Sequence, residues 1–387
     1  MSALGIARRS VLVIAAASLT AGSMAPPDDV PPVMHPLPPA EPPPPKVSVK
    51  LRSIGYWRGV YEQSWSYQTT TTLPQSRSGD SWDHYNLSYL VDANTAMYRA
   101  TGARRYLDRA LRYVENVVAT AKPSAGMRSS QYRDHFRGWV SFSQDIGGTG
   151  EEVPLYESYF WRYATTLLRI MRDTPDAYAD AGYRARYQRL LDFAEVDIFQ
   201  KWYSRGANDN IYRERTHMAS HWALIALNLA QITADPARRA RYHQVVDNID
   251  LHLPNAHAGL RTQMRRNPAN AWAYFWSDVW GSARRPGQDV PHGNGVIAYV
   301  VEARDNGSEW TAADMAGFAA LLTRVVWPGG RTYHGFVDGT GTDNGWYSDG
   351  YVKLGRYDPR VQQRLDGHRV VNEQFAANMA LNAKILA

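Results

Sequence analysis

The sequence contains no cysteine among its 387 residues. Disulfides, thiolate metal sites and cysteine nucleophiles are therefore excluded, and the fold must rely on its core alone. A phosphate-binding glycine motif, a nucleophile elbow and a long run of lysine or arginine are also missing. The formal net charge is +6, so we expect an anionic partner. Because a long basic run is missing, we do not expect this partner to be a nucleic acid.

An apolar run long enough to span a membrane is missing from the N-terminus. Arg8 and Arg9 precede an apolar stretch at 11–19, which is about half of the roughly 20 residues that a transmembrane helix needs. This charged start, the short apolar stretch and the small residues that follow predict a cleavable export signal over residues 1–25. We therefore expect a periplasmic or secreted protein without stable membrane insertion. Residues 26–46 carry a proline tract, which predicts an extended spacer.

Helical periodicity marks the rest of the chain, which we assign to one domain, residues 47–387. In the clearest segment, apolar residues at 87–98 follow a period near 3.6, Thr101 and Gly102 interrupt the pattern, and 107–117 resume it. This arrangement predicts a helical hairpin. Similar pairs begin near Tyr156, Ser220 and His292, and a final helix-length run covers 375–386.

The spacing of these segments indicates the fold class. Their starts lie about 64 to 80 residues apart, which is too long and too uneven for a solenoid of short identical repeats. A closed ring of hairpins fits this spacing better. We therefore predict an all-α fold, an (α/α) toroid or barrel of about six or seven helical hairpins.

Polar and aromatic residues open each predicted hairpin. In a toroid, the inner helices point their N-terminal ends at one mouth, where unpaired backbone N–H groups and the helix dipole favour anions. Because the chain has 13 Trp and 24 Tyr, sugar rings can stack there, and an acidic polysaccharide is the expected partner. The side chains predicted to gather at this mouth are Trp82, Asp83, His84, Tyr85, Asn86, Tyr156, Glu157, Tyr159, His217, Ser220, His221, Trp222, Asp289, His292 and Asn294.

Two pairs of residues carry candidate chemistry. His217 and His221 are four residues apart on one predicted helix and can share a face. Met218 stands where a zinc peptidase needs a glutamate, so we predict no metal site there. Arg266 precedes Tyr274 in an aromatic segment, and a nearby cation would lower the tyrosine pKa until the phenolate can accept a proton.

A third candidate segment, residues 289–295, combines a proline suited to a helix start with two glycines and three hydrogen-bonding side chains. The glycines would let the backbone approach a ligand closely. A plain helix cap at Asp289 accounts for only one of these features. We therefore assign a functional role to His292.

These motifs resemble those of the α/α-toroid polysaccharide lyases, in particular the family-38 lyases that cut glucuronan and alginate. The resemblance rests on Ser-His-Trp at 220–222, on Arg266 and Tyr274 about one hairpin later, and on the segment 289–294. It covers the chain after the proline-rich spacer. Ser220 stands where related toroid families carry an asparagine before the histidine.

The resemblance implies metal-independent β-elimination on a uronate polymer, without a cofactor. Tyr274 would remove the C5 proton and return a proton to the leaving oxygen, while Arg266 and His221 would lower its pKa or bind the carboxylate. We also expect a monomer. The side chains implied to bind substrate are His292, Asn294, Glu157, Trp82, Tyr156 and His217.

Two other functions fit the same scaffold. A glycoside hydrolase needs two opposed carboxyl groups, for which Asp83, Glu157 and Asp289 are candidates. A non-catalytic sugar-binding protein of the cell envelope would need only aromatic stacking. The fold alone does not separate these functions from that of a lyase.

Overall fold

The computed structural model describes residues 49–143 and 149–387. The predicted export signal at 1–25 and the predicted spacer at 26–46 lie outside the described residues. The first helices are α1 (Ile54–Glu62), α2 (Trp65–Tyr67), α3 (Leu73–Gln75), α4 (Ser81–Thr101), α5 (Arg104–Thr120), α6 (Pro154–Asp173), α7 (Pro175–Ala179), α8 (Ala181–Phe193) and α9 (Lys201–Ser204).

The second half of the chain continues this helical pattern. Its helices are α10 (Ala207–Asn210), α11 (Thr216–Ile232), α12 (Pro236–Asp250), α13 (Leu260–Gln263), α14 (Val290–Asp305), α15 (Ala312–Ala320), α16 (Gly350–Lys353), α17 (Pro359–Asp366) and α18 (Glu373–Leu386). Two short antiparallel pairs join β1 (Lys122–Pro123) to β2 (Arg137–Gly138) and β3 (Arg265–Arg266) to β4 (Tyr274–Phe275). Shorter π-helical and 3₁₀ turns extend several of the helices.

Six helices form a closed inner ring. Helix α4 packs against α6, α6 against α11, α11 against α14, α14 against α16, α16 against α18, and α18 returns to α4. An outer layer of α5, α8, α12, α15, α17 and α1 covers these helices in the same order. The prediction of an all-α toroid is therefore confirmed. The described part of the chain forms five hairpins and a sixth pair, α18 with α1, that brings the last helix against the first.

The lengths of the connections show which end of the ring can carry a site. The connections from an inner helix to the outer helix that follows are short, such as 102–103 and 233–235. The connections from an outer helix back to the next inner helix are longer and include 121–153, 251–289 and 327–349. The inner helices therefore all run in the same direction. Their N-terminal ends and the long connections share one end of the ring, which we call the mouth.

Local sequence sets the helix boundaries at this end. The Asp80 carboxylate accepts a hydrogen bond from the backbone N of Trp82 at 2.8 Å, and Asp289 accepts one from the backbone N of His292 at 3.0 Å. These bonds satisfy N–H groups that have no partner within the helix. At the far end of α4, Gly102 has a φ of 70°, a left-handed conformation that glycine adopts without strain.

The interface between the two layers of helices is apolar. Leu107, Leu111 and Val114 of α5 are fully buried and repeat at the spacing of one helix face. Burial of each such side chain stabilises the fold by about 1.5 to 3 kcal/mol. No described helix is both long enough and apolar enough to cross a bilayer.

The interior of the ring, in contrast, is polar. Arg169 donates to Asn228 and to Glu302, both at 2.8 Å, while Lys353 donates to Asp92 at 3.1 Å. These buried groups join different inner helices to one another across the interior of the ring below the mouth. We call the whole set the axial network, and each inner helix contributes to it: Asp92, Arg169, Asn228, Glu302, Lys353 and Gln374.

Candidate active site

An aromatic platform lies at the mouth where α4 and α6 begin. Trp82 stacks on Tyr85 with ring centres 5.0 Å apart, and Tyr85 stacks on Tyr159 at 3.9 Å. Tyr156 meets Trp82 edge-on at 5.3 Å. Because Tyr85 is already stacked on two rings, Trp82 and Tyr156, which are partly exposed, are the rings available for stacking against an amphipathic ligand such as a sugar. The structure thus brings together Trp82 and Tyr156, as predicted.

A pair of tyrosine hydroxyls lies beside this platform. The Tyr159 hydroxyl donates to the Tyr89 hydroxyl at 2.7 Å. Burial raises the pKa of Tyr89 to about 12 and raises the pKa of Tyr159 well above its ordinary value. Because Tyr159 uses its own proton in this bond, the Tyr89 proton can point to another acceptor. Tyr89 is therefore placed to act as a proton donor at neutral pH.

Three histidines continue the wall of the mouth from the tyrosine pair. His221 meets Tyr159 edge-on at 5.0 Å, and His217 follows one helical turn away with ring centres 6.2 Å apart. His292 of α14 stacks on His217 at 4.4 Å. Burial lowers the pKa of both His217 and His221 well below the ordinary value, and the neighbouring His292 and Arg162 respectively lower them further. His217 and His221 are therefore neutral.

His292 differs from the other two histidines because it has a carboxylate partner. Its Nδ1 lies 2.9 Å from both carboxylate oxygens of Asp289. Burial alone would raise the pKa of Asp289. Hydrogen bonds from the His292 side chain and backbone outweigh burial and hold this pKa below its ordinary value. A carboxylate at Nδ1 favours the tautomer in which Nε2 can accept a proton. With 36% of its side chain exposed, His292 is the candidate general base.

These contacts define what we call the mouth arc, a continuous row of rings contributed by α4, α6, α11 and α14. Proton-donating tyrosines lie at one end and the carboxylate-backed histidine at the other. Its members are Tyr89, Tyr159, His221, His217 and His292.

Tyr274 and Arg266 do not belong to this arc. The Tyr274 hydroxyl donates to Asp314 of the outer helix α15 at 2.5 Å, and its ring packs against Phe318. Burial, and then the bond to Asp314, raise the pKa of Tyr274 instead of lowering it. Arg266 is exposed on the paired strand. Arg266 is thus opposite Tyr274 across the two strands, but the Tyr274 hydroxyl is bonded to Asp314, so this structure does not place the pair with the other predicted site residues.

Glu157 and Asn294 are also occupied by structural bonds. Glu157 accepts from Lys201 Nζ and Trp202 Nε1, both at 2.8 Å, inside the fold. The Asn294 side chain accepts from the backbone N of Gly350 at 3.1 Å and donates to the backbone oxygen of Trp346 at 2.8 Å. The bonds of these two side chains join helices to each other and to the long loop, so in this structure both are engaged within the fold.

Three further residues predicted at the mouth are buried behind it. His84 packs edge-on against Trp139 at 5.1 Å, and Trp222 is fully buried. The Ser220 hydroxyl donates to the backbone oxygen of Thr216 within its own helix at 2.8 Å. The serine that replaces the asparagine of the related families is therefore engaged in a local bond.

The sequence analysis missed three residues close to the arc. Tyr89 follows Tyr85 by one helical turn, and Arg162 follows Tyr159 by three residues, so the helical spacing carried a signal for both. Asp349 precedes the short helix α16 and had no such pattern. Within residues 49–143 and 149–387, no three His, Asp or Glu side chains are grouped so that they could hold a metal ion.

No family model matches the chain, and neither does any curated protein. The chain is similar to a solved structure named as a polysaccharide lyase, with a TM-score of 0.46 and 14% sequence identity over 86% of this chain and 97% of that chain. At this identity and TM-score, the similarity assigns no activity to the chain.

Proposed function

We propose that this protein is a polysaccharide lyase that cleaves an anionic uronate polymer, of the glucuronan or alginate type, by metal-independent β-elimination. The observation that carries the proposal is the mouth arc, in which His292 with its Asp289 partner and the Tyr89–Tyr159 pair lie at the two ends of one row of rings. Elimination needs a base that reaches the C5 proton and an acid that reaches the O4 oxygen of one linkage, and the arc contains a candidate for each role beside an aromatic platform.

In this mechanism, His292 Nε2 takes the C5 proton of the uronate. The electrons of the C5–H bond form the C4=C5 double bond while the C4–O4 bond breaks. Tyr89 gives its proton to the departing O4 oxygen and becomes a phenolate that accepts the hydrogen bond from Tyr159. Because this tyrosine has a raised pKa, it keeps its proton until a strongly basic oxygen forms.

Cations near the histidines favour the carboxylate of the substrate. Arg213 and Arg215 both disfavour protonation of His217, which places their positive charge on this side of the mouth. Arg215 is paired with Asp278, whereas Arg213 is partly exposed. We assign Arg213 to binding the uronate carboxylate, where it would stabilise the enolate charge that develops in the transition state.

The carboxylates considered for a hydrolase are less suitable. Glu157 is buried and bonded to Lys201, and Asp83 accepts a hydrogen bond from Gln75 at 2.8 Å. Asp289 is bonded to His292. Hydrolysis of a glycosidic bond needs two opposed carboxyl groups that can reach the sugar, and these three residues do not supply such a pair.

The test is to incubate purified protein with glucuronan, alginate and a neutral glucan, with and without chelator, and to follow the ultraviolet absorbance of unsaturated uronates. We expect absorbance to rise on an acidic polymer in the presence of chelator, and to be lost in His292→Ala and Tyr89→Phe. New reducing ends without absorbance would identify a hydrolase. Oligosaccharide binding without turnover would identify a binding protein, and either result would overturn the proposal.

A further inference from the structure

A buried arginine lies directly beneath the tyrosine end of the mouth arc. The Arg162 guanidinium carbon is 3.9 Å from the ring centre of Tyr159 and 4.5 Å from that of Tyr163. The Arg162 side chain is 0% exposed. Since the Tyr159 hydroxyl is bonded to Tyr89, this cation lies under the pair of hydroxyls that would supply the proton.

A carboxylate from a distant part of the ring holds Arg162 in place. Arg162 Nη2 donates to Asp349 Oδ2 at 2.8 Å, and the Tyr163 hydroxyl donates to the other oxygen of Asp349. Asp349 is itself buried and directly precedes α16. The guanidinium is thus fixed between α6 and the start of α16, and its position relative to Tyr159 is set by tertiary packing.

One group of Arg162 has no structural partner. Its Nη1 is buried without a hydrogen bond, on the side that faces His221 and Gly295. A Cβ atom at Gly295 would lie 3.6 Å from this nitrogen and 2.9 Å from His221 Nε2, so only a glycine allows this close approach. A buried donor without a partner costs stability, while Nε and Nη2 of the same guanidinium are bonded to the backbone oxygen of Tyr159 and to Asp349.

We propose that Arg162, held by Asp349, is a positioning residue that stabilises the negative charge on the Tyr89–Tyr159 pair when Tyr89 releases its proton. This inference rests on the proposed function. The groups that act on Tyr89 are Tyr85 of its own helix, Tyr159 and Arg162 of α6, and Asp349. At Tyr89, Asp349 opposes the phenolate more strongly than Arg162 favours it, whereas at Tyr159 the effect of Arg162 is the larger of the two. The same cation disfavours protonation of His221.

The first test compares two arginines of the same helix. Arg169 lies two helical turns beyond Arg162, is equally buried, and pairs with Glu302 at the same distance of 2.8 Å, but it belongs to the axial network. In Arg162→Gln, we expect the alkaline limb of the pH profile of kcat/KM to move up by about one unit and kcat to fall about tenfold. Arg169→Gln should lose stability without moving that limb, and Arg162→Lys should restore part of the rate.

A second measurement follows the ionisation of Tyr89 directly and does not require turnover. It includes a variant in which Asp349 is not left as an unpaired buried charge. In the double variant Arg162→Gln/Asp349→Asn, both charges are removed, so no buried charge remains uncompensated. With ¹³C-labelled tyrosine, the Tyr89 signal is assigned by its loss in Tyr89→Phe and followed by NMR as the pH is raised. We expect the onset of Tyr89 ionisation to move to higher pH in Arg162→Gln and to be unchanged in Arg169→Gln. In the double variant the shift should be reversed, because Asp349, which opposes ionisation of Tyr89, is removed as well.

The outcomes separate the two proposals. An unchanged Tyr89 titration and an unchanged alkaline limb in folded Arg162→Gln would overturn the role of Arg162. Failure of the wild-type protein to cleave any of the polymers would refute the proposed function, while the tyrosine titration would still decide whether Arg162 acts on Tyr89. A shift of equal size in Arg169→Gln would show a general loss of packing and would also overturn the inference.

Discussion

The buried histidine His84 should make the fold sensitive to acid. Its ring lies on α4 between Trp139, at 5.1 Å, and Phe160, at 6.1 Å, and neither of its nitrogens has a hydrogen-bond partner. Burial lowers the pKa of His84 from its usual value of 6.5 to about 3. The folded protein therefore keeps this side chain neutral under conditions in which the unfolded chain protonates it.

The direction and size of the effect follow from proton binding. Below pH 6.5 the unfolded chain binds a proton at His84 that the folded state does not bind, so stability is present above this pH and falls as the pH is lowered towards 3. One such proton changes the free energy of unfolding by about 1.4 kcal/mol per pH unit. Between pH 7.5 and pH 4.5 the loss should reach about 2 to 3 kcal/mol, a large fraction of the roughly 5 to 15 kcal/mol that stabilises a domain.

Denaturant unfolding at these two pH values tests the prediction. In His84→Leu the titrating group is replaced by an apolar side chain suited to this site, and the loss at low pH should shrink by about 2 kcal/mol. Some pH dependence will persist because the pKa values of His217 and His221 are also lowered. His243, which is exposed on α12, is the control, and His243→Gln should behave like the wild type. Equal losses in the wild type and His84→Leu would refute the reasoning.

Three other changes have defined outcomes. Tyr274→Phe should keep full lyase turnover and cost about 1 kcal/mol of unfolding free energy, because only its bond to Asp314 is lost; loss of turnover would return Tyr274 to the active site. Asp250 is buried and its pKa is raised to about 7, so Asp250→Asn should gain up to about 4 kcal/mol near pH 8, where the wild-type carboxylate is ionised, and nothing near pH 4. A gain independent of pH would contradict this. Glu302→Gln removes the buried carboxylate that pairs with Arg169 in the axial network and should cost about 3 to 5 kcal/mol in denaturant unfolding, whereas a neutral effect would show that this pair is not stabilising.

Local sequence was sufficient for the helices and for part of the site. The predicted hairpin with its break at Thr101 and Gly102 is α4 and α5, because helical periodicity and a left-handed glycine act over a few residues. Trp82, Tyr156 and His292 were predicted to lie at the mouth because they open inner helices, and a ring brings the starts of its inner helices together. Once the toroid was inferred, this placement required no knowledge of individual contacts.

Helical periodicity could not show which tyrosine hydroxyl lies at the mouth. Tyr274 and Tyr89 both lie in aromatic segments, but Tyr274 meets Asp314, which is 40 residues away on an outer helix, and this contact turns its hydroxyl away from the mouth arc. Glu157 likewise forms a buried bond with Lys201, which is 44 residues away in the sequence, and so does not face the mouth. Whether a polar side chain faces ligand or core depends on what packs behind it, and periodicity does not contain that information.

The sequence by itself determined the helices, the hairpins and the end of the ring at which chemistry could occur, because these features follow from short-range spacing and from helix polarity. Only the tertiary structure decided which side chains at that end are available and which are occupied. The pair of Arg162 and Asp349 joins residues 187 positions apart, and it exists only because closure of the ring brings α6 next to the residue that precedes α16.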